Sequence, residues 1–136
     1  MSDNNTPMTQ AEHDQWVREQ FQRANQHLAE NGILFDSVVV EASRYLAPYV
    51  AVWKIKSQQG QYFWVLSGDL PVDYIPFSTA VDVRSALKHF SLSWQLKAEN
   101  ILSAQGLDET QENYAKLLAD RAISLYQLSE KQELWA

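Results

Sequence analysis

Two carboxylates four residues apart, Asp69 and Asp73, stand in the run Gly68-Asp69-Leu70-Pro71-Val72-Asp73-Tyr74. A pair of carboxylates brought together can do general acid–base work or hold a water-rich Mg²⁺ ion. Pro71 holds Leu70 extended and stiffens the stretch. The plainer role is local: an Asx turn at Asp69 and amide capping by Asp73, with Leu70 and Val72 anchoring a loop. Spacing alone does not make the carboxylates converge, so the local role is the favoured one.

Arg84, His89 and Trp94 follow on the next element. His89 has Ser85 and Ser93 one helical turn away on either side, but a Ser–His nucleophile needs an oxyanion hole and a strained turn. Neither is signalled. His13 and His27 are fourteen residues apart on one helix, about 21 Å at 1.5 Å per residue, and cannot share an ion. With no cysteine, thiolate metal sites, disulfides and a Cys nucleophile are excluded. Glycines occur singly at 32, 60, 68 and 106, so no Gly-rich phosphate cradle exists. No cofactor and no metal are expected. Amides opening the helix near Arg84 and Lys88 could attract an anion, but Asp82 already supplies negative charge there.

The elements that must position these residues can be read from periodicity. Residues 1–8 read as a disordered tail and 9–136 as a single α+β domain. Thr9 and Glu12 form a capping box for a helix whose apolar seam is Val17, Phe21, Ala24 and Leu28, widened by Trp16 and stopped by Asn31-Gly32. Val38-Val39-Val40 and Tyr49 to Lys56 then read as strands, broken apart by Pro48. In the longer one Tyr49, Ala51, Trp53 and Ile55 share one face, and Val50, Val52, Lys54 and Lys56 the other. Ser57 to Gly60 is a hairpin turn, and Gln61 to Ser67 returns antiparallel. Gly68 to Ser78, with Pro71 and Pro76, reads as a loop. Thr79 and Asp82 read as a second capping box, before a helix with the stripe Val83, Leu87, Phe90, Trp94, Ala98 and Ile101. Asp108 caps a third helix with Tyr114, Leu118, Leu125 and Leu128 inward and Leu117 beside them. Arg121 breaks this stripe, as a snorkelling edge residue, half of a buried ion pair or part of an oligomer interface. The order α-β-β-β-α-α predicts a small three-stranded antiparallel sheet with helices packed on one face.

The totals set the class. At 136 residues with 46% hydrophobic and 21% charged residues and a mean hydropathy of −0.37, the composition is that of a globular, soluble protein. No apolar run reaches the ~20 residues that span a bilayer, and the polar N-terminus has no secretory h-region, so a cytoplasmic location without membrane partners is expected. Net charge is −6. Both ends are acidic, whereas residues 38–97 hold six Lys and Arg against four Asp and Glu. That is a normal solvated surface and points to no nucleic acid. The order α-β-β-β-α also describes the double-stranded-RNA-binding domain, but that domain opens its last helix with a Lys cluster, whereas this one opens with Asp82.

Tyr45 to Ile55, Ser67 to Tyr74, and Arg84 through His89-Phe90 to Trp94 resemble a family of small bacterial proteins known only as a domain of unknown function. The likeness covers about Trp16 to Ile101 and implies a grouping, with no activity or site residue attached. Two readings follow from the residues. The first is a non-enzymatic interaction or regulatory module that pairs with itself as a homodimer or with another protein, because the second face of the sheet, read as Val50, Val52, Phe63 and Val65, is expected to lie open. The alternative is a small-ligand or hydrolase-like site in the 68–89 segment. Asp69, Asp73, Tyr74, Arg84, His89 and Trp94 are the candidate ligand or partner site. The aromatic middle, with Trp53, Trp64, Tyr45, Tyr49 and Tyr62, reads as core before it reads as pocket.

Overall fold

Reciprocal hydrogen bonds start the first helix in the computed structural model, which describes residues 7–135. Of the expected tail, residues 1–6 lie outside the described residues. Thr9 Oγ1 accepts from the Glu12 amide at 3.1 Å, and Glu12 Oε1 accepts from the Thr9 amide at 2.9 Å. Helix α1 (Gln10–Glu30) buries Ala24 and Leu28, with Trp16, Val17 and Phe21 half-buried beside them, so the seam seen in the sequence is the packed face. It ends in a Schellman motif, in which the Ile33 amide donates to Leu28 O and the Gly32 amide to Ala29 O. Gly32 takes the left-handed φ of +78° that this turn demands.

The sheet has five strands, all antiparallel, and not three: β1 (Phe35–Val38), β2 (Arg44–Leu46), β3 (Val50–Ser57), β4 (Tyr62–Gly68) and β5 (Asp73–Pro76). The order is β1-β3-β4-β5, with β2 also paired to β3. Strands β1 and β2 run along the same side of β3, against its end and its start. Between them the chain leaves the ladder as a 3-10 turn, Val40–Ala42, so the first strand ends on Val38, the first residue of the valine run, instead of containing the run. Ser43 fills the gap: its hydroxyl accepts from the Lys54 amide at 3.0 Å and donates to Val39 O at 2.9 Å. The segment expected as a loop from Gly68 to Ser78 contains β5. Pro76 fits because β5 is an edge strand, whose outer amides need no ladder partner.

Register decides the faces. Trp53 pairs with Val65 and Ile55 with Phe63, so Phe63 and Val65 share the α1-facing side with Ala51, Trp53 and Ile55. The other face carries Val50, Val52, Leu66 and Trp64, correcting the assignment made from the sequence. All four are at most 2% exposed, so the open sheet face that motivated the first reading is not there. On the α1 side, Trp53 Nε1 donates to Ser67 Oγ at 3.1 Å, and that hydroxyl donates to Gln20 O at 3.2 Å. This buried relay satisfies the indole and ties α1 to two strands.

The chain divides into two units, Met1–Pro76 and Phe77–Ala136. The second is a helical hairpin. Phe77–Thr79 is a 3-10 turn, and Asp82, not Thr79, caps α2 (Val83–Leu102) by accepting from the Ser85 amide at 2.8 Å. Helix α2 buries Val83, Leu87, Phe90, Trp94 and Ala98, as its stripe predicts. Helix α3 (Glu109–Ser129) has a capping box between Asp108 and Gln111 and buries Ala115, Leu118, Ala122, Leu125 and Ser129. Tyr114, expected inward, is exposed, and Ala115 takes its place. Arg84 meets Ser129, Ser91 meets Ala122 and Lys97 meets Tyr114, so the helices run antiparallel.

Candidate functional site

Asp69 follows β4, Asp73 opens β5, and the residues between them form the β4–β5 turn. Asp69 is exposed and its amide donates to Tyr49 O at 2.9 Å. Asp73 is half-buried, and its Oδ1 accepts from the Tyr74 amide at 2.8 Å, which is the local capping role. Val72 packs on the α1-side core, as a loop anchor should. Tyr74 sits edge-on to His27 and Phe63, each with a centroid distance of 5.8 Å.

A cation the sequence did not nominate holds this turn. Arg23, on α1, donates to Gly68 O at 2.5 Å, to Leu70 O at 3.2 Å and to Gln20 Oε1 at 2.9 Å. The guanidinium's fork therefore fixes main-chain carbonyls on both sides of Asp69. Nothing in the sequence links positions 23 and 68 except the predicted packing of α1 on the sheet.

In the second unit, Arg84 Nε donates to Ser129 O at 2.6 Å. The last carbonyls of α3 have no helical partners of their own. Here Ser129 Oγ reaches Tyr126 O at 2.6 Å, the Glu130 amide reaches Gln127 O at 3.2 Å, and Trp135 Nε1 reaches Leu128 O at 3.1 Å. Arg84 completes the set, and its charge also favours this negative end of the helix dipole. Lys88 lies 3.3 Å from Glu130 at the same end. His89 is half-buried, and no hydrogen bond joins it to Ser85 or Ser93 among the described residues. Trp94 is buried, its ring 6.4 Å from that of Phe90. Arg121 bonds the neighbouring, exposed Asp120, and its own side chain is 29% exposed.

The opposite side of the hairpin carries Leu92, Leu96, Ile123 and Tyr126, exposed by 58, 53, 55 and 51%. At the crossing, Ser91 Oγ donates to Ala122 O at 2.7 Å. One residue further, each helix has turned about 100°. In an antiparallel pair those rotations have opposite senses along the common axis, so Leu92 and Ile123 emerge on the same side. Leu96 and Tyr126 continue that side by one turn each. The signal was present in the sequence: Leu92 and Leu96 repeat at i, i+4 off the buried stripe, and a helix apolar on two sides has two surfaces to cover.

In the first unit a small polar cavity of about 100 Å³ lies between the α1–β1 turn and the β3–β4 hairpin, lined by Gly32, Ile33, Leu34, Ser57, Gln58, Gln59 and Gln61. Ligand pockets are typically about 300–1,000 Å³, so it is small for an organic ligand. Among the described residues no group of three His, Asp or Glu side chains could hold a metal ion, and no helix is long and apolar enough to cross a membrane.

The fold is thus α+β: an antiparallel five-stranded sheet with α1 packed on it, and a two-helix hairpin carrying an apolar outer side. The chain belongs to the family described as Domain of unknown function (DUF4826), whose model matches residues 10–135. That span extends the resemblance seen in the sequence to every helix and strand described above. No curated protein and no solved structure matches the chain.

Proposed function

We propose that this chain is a non-enzymatic interaction module that presents the outer side of α2 and α3 to a protein partner. The observation that carries the reading is the clustering of Leu92, Leu96, Ile123 and Tyr126 on adjacent helices, each more than half exposed. Single exposed apolar residues are ordinary, and Leu34, Val40, Tyr49 and Val81 are of that kind. Four on one side of a rigid helical pair make a contiguous surface whose burial by a partner is favourable. The polar residues nominated for chemistry support the same reading, since Arg84 caps α3 and Asp73 caps its neighbour's amide.

Photo-crosslinking in cells tests this. A benzophenone side chain at position 92 or 123 should give discrete adducts with protein, and one at the exposed Gln15 of α1 should give none. Absence of adducts at both 92 and 123 would remove the reading.

A further inference from the structure

We infer that Asn31 is a site of spontaneous deamidation held in check by the C-cap of α1: it converts only when the cap opens, and conversion then weakens the cap for good. This site is independent of the α2–α3 surface. Among the asparagines of the chain, Asn31 alone precedes a glycine. The chemistry is intramolecular. The Gly32 main-chain nitrogen, once it has lost its proton to base, attacks Asn31 Cγ. The new N–Cγ bond closes a five-membered succinimide, and the Cγ–Nδ2 bond breaks to release ammonia. Water then opens the ring at either carbonyl, leaving aspartate or, with one more atom in the main chain, isoaspartate at position 31. Glycine favours the attack because no side chain crowds its nitrogen. Asn31 and Gly32 are both exposed, and Gly32 lines the small polar cavity, so base and water reach them.

The closed cap opposes each step. Asn31 has a ψ of 15°, which sets Gly32 N almost in line with Asn31's own nitrogen about the Cα–C bond. Cβ is then far round that bond, whereas ring closure needs it nearly eclipsed with Gly32 N. The N–H that must be lost from Gly32 is donated to Ala29 O at 3.0 Å, and the leaving Nδ2 of Asn31 donates to His27 O at 2.8 Å. Turning Asn31 to the reactive conformation also carries off Ile33, whose amide donates to Leu28 O at 2.9 Å. Three hydrogen bonds must therefore open first. They lie at an exposed helix end, where local opening costs least.

The product cannot rebuild this arrangement. A carboxylate only accepts, so His27 O loses its donor. Its charge also falls beside Glu30 at the negative end of the α1 dipole. Loss of ammonia to solvent makes the change one-way.

The test is to incubate the full chain at mildly alkaline pH and follow the amide-to-acid mass gain in the peptide containing Asn31. A synthetic peptide of residues 25–37 in the same buffers gives the unprotected rate. The native chain should convert at least about tenfold more slowly than the peptide, since three hydrogen bonds must open first. In sub-denaturing urea, the native rate relative to the peptide should rise with a slope well below that of global unfolding, the mark of a local opening. Ile33 packs half-buried against the cluster that holds Leu28, so Ile33→Ser loosens the cap and leaves the Asn-Gly pair intact. That variant, shown to be folded by circular dichroism, should convert severalfold faster than the wild type. A native chain as fast as the peptide, or one whose rate climbs with the full slope of global unfolding, overturns the inference. So does a folded Ile33→Ser chain that converts no faster than the wild type.

Discussion

Replacing Gly68 by alanine should be among the most damaging changes of a single methyl group in the first unit. Gly68 ends β4 at a φ of +140°, and a Cβ there would lie 2.3 Å from Tyr49 O and 2.8 Å from Val50 Cα. Both are backbone atoms, of Val50, which opens β3 opposite Gly68 in the ladder, and of the residue just before it. Neither can swing aside as a side chain would. Tyr49 O also accepts from the Asp69 amide at 2.9 Å, so relief by separation breaks that bond. The backbone conformation costs an L residue about 1–3 kcal/mol. Forcing the strands apart adds about 1–3 kcal/mol, as in overpacked cores. Together these give roughly 2–6 kcal/mol. With a urea m-value of about 1–3 kcal/mol/M, the unfolding midpoint should fall by at least about 0.7 M. Gly60→Ala is the matched control: its φ is +84°, but nothing lies within 4 Å of the added Cβ. It should lose only about 1–2 kcal/mol for the left-handed backbone. Urea titrations followed by tryptophan fluorescence compare the two directly. Equal losses in the two variants would refute the close-approach argument.

The relay under α1 predicts that Ser67→Ala costs about 1–3 kcal/mol, because it strips the buried Trp53 indole of its acceptor; denaturant melts read this, and an unchanged midpoint would count against the relay. Arg84→Met keeps the apolar stem and removes the bond to Ser129 O, so it should cost about 1–2 kcal/mol and lower the thermal midpoint by several degrees. Burial raises the Tyr45 phenol above its usual value near 10. Its contribution to stability is therefore complete below pH ~10 and is lost as pH rises through the folded-state value. Phenolate absorbance titrated in the wild type and in Tyr45→Phe should differ by one group ionising above pH 10, and a difference centred at or below 10 would contradict the burial.

Local chemistry was readable wherever a residue acts on its own neighbours. Thr9 and Asp108 could be placed as caps because a capping box is completed within four residues. The same rule misled at Thr79, where the spacing to Asp82 satisfies the pattern but Phe77–Thr79 closes a 3-10 turn and Asp82 becomes the cap itself. Strand β5 was hidden by Pro71 and Pro76, since only knowledge that it is an edge strand makes Pro76 acceptable. The interruption between β1 and β2 depends on the Ser43 hydroxyl standing in for a ladder bond to Lys54, which no hydrophobic pattern records. For the candidate site, Asp69 lies in the expected loop after β4 but Asp73 opens β5, and the Arg23 clasp joins residues 45 and 47 apart in sequence. Phe63 and Val65 went to the wrong side because the register across the hairpin, and not the strand's own alternation, relates them to Trp53.

The crossing of α2 and α3 limits what sequence this hairpin can carry. Ser91, Ala98, Ala115 and Ala122 are buried, and Ser91 spends its hydroxyl on the Ala122 carbonyl. Added bulk at any of the four must part the helices or distort them. In a saturation library selected for folding, these positions should tolerate little beyond Gly, Ala and Ser. Positions 92, 96, 123 and 126 should accept polar residues freely under the same selection, and only a second selection, for association, should narrow them. The hairpin would thus show two separate patterns of mutational tolerance, one written by its own assembly and one by its partner.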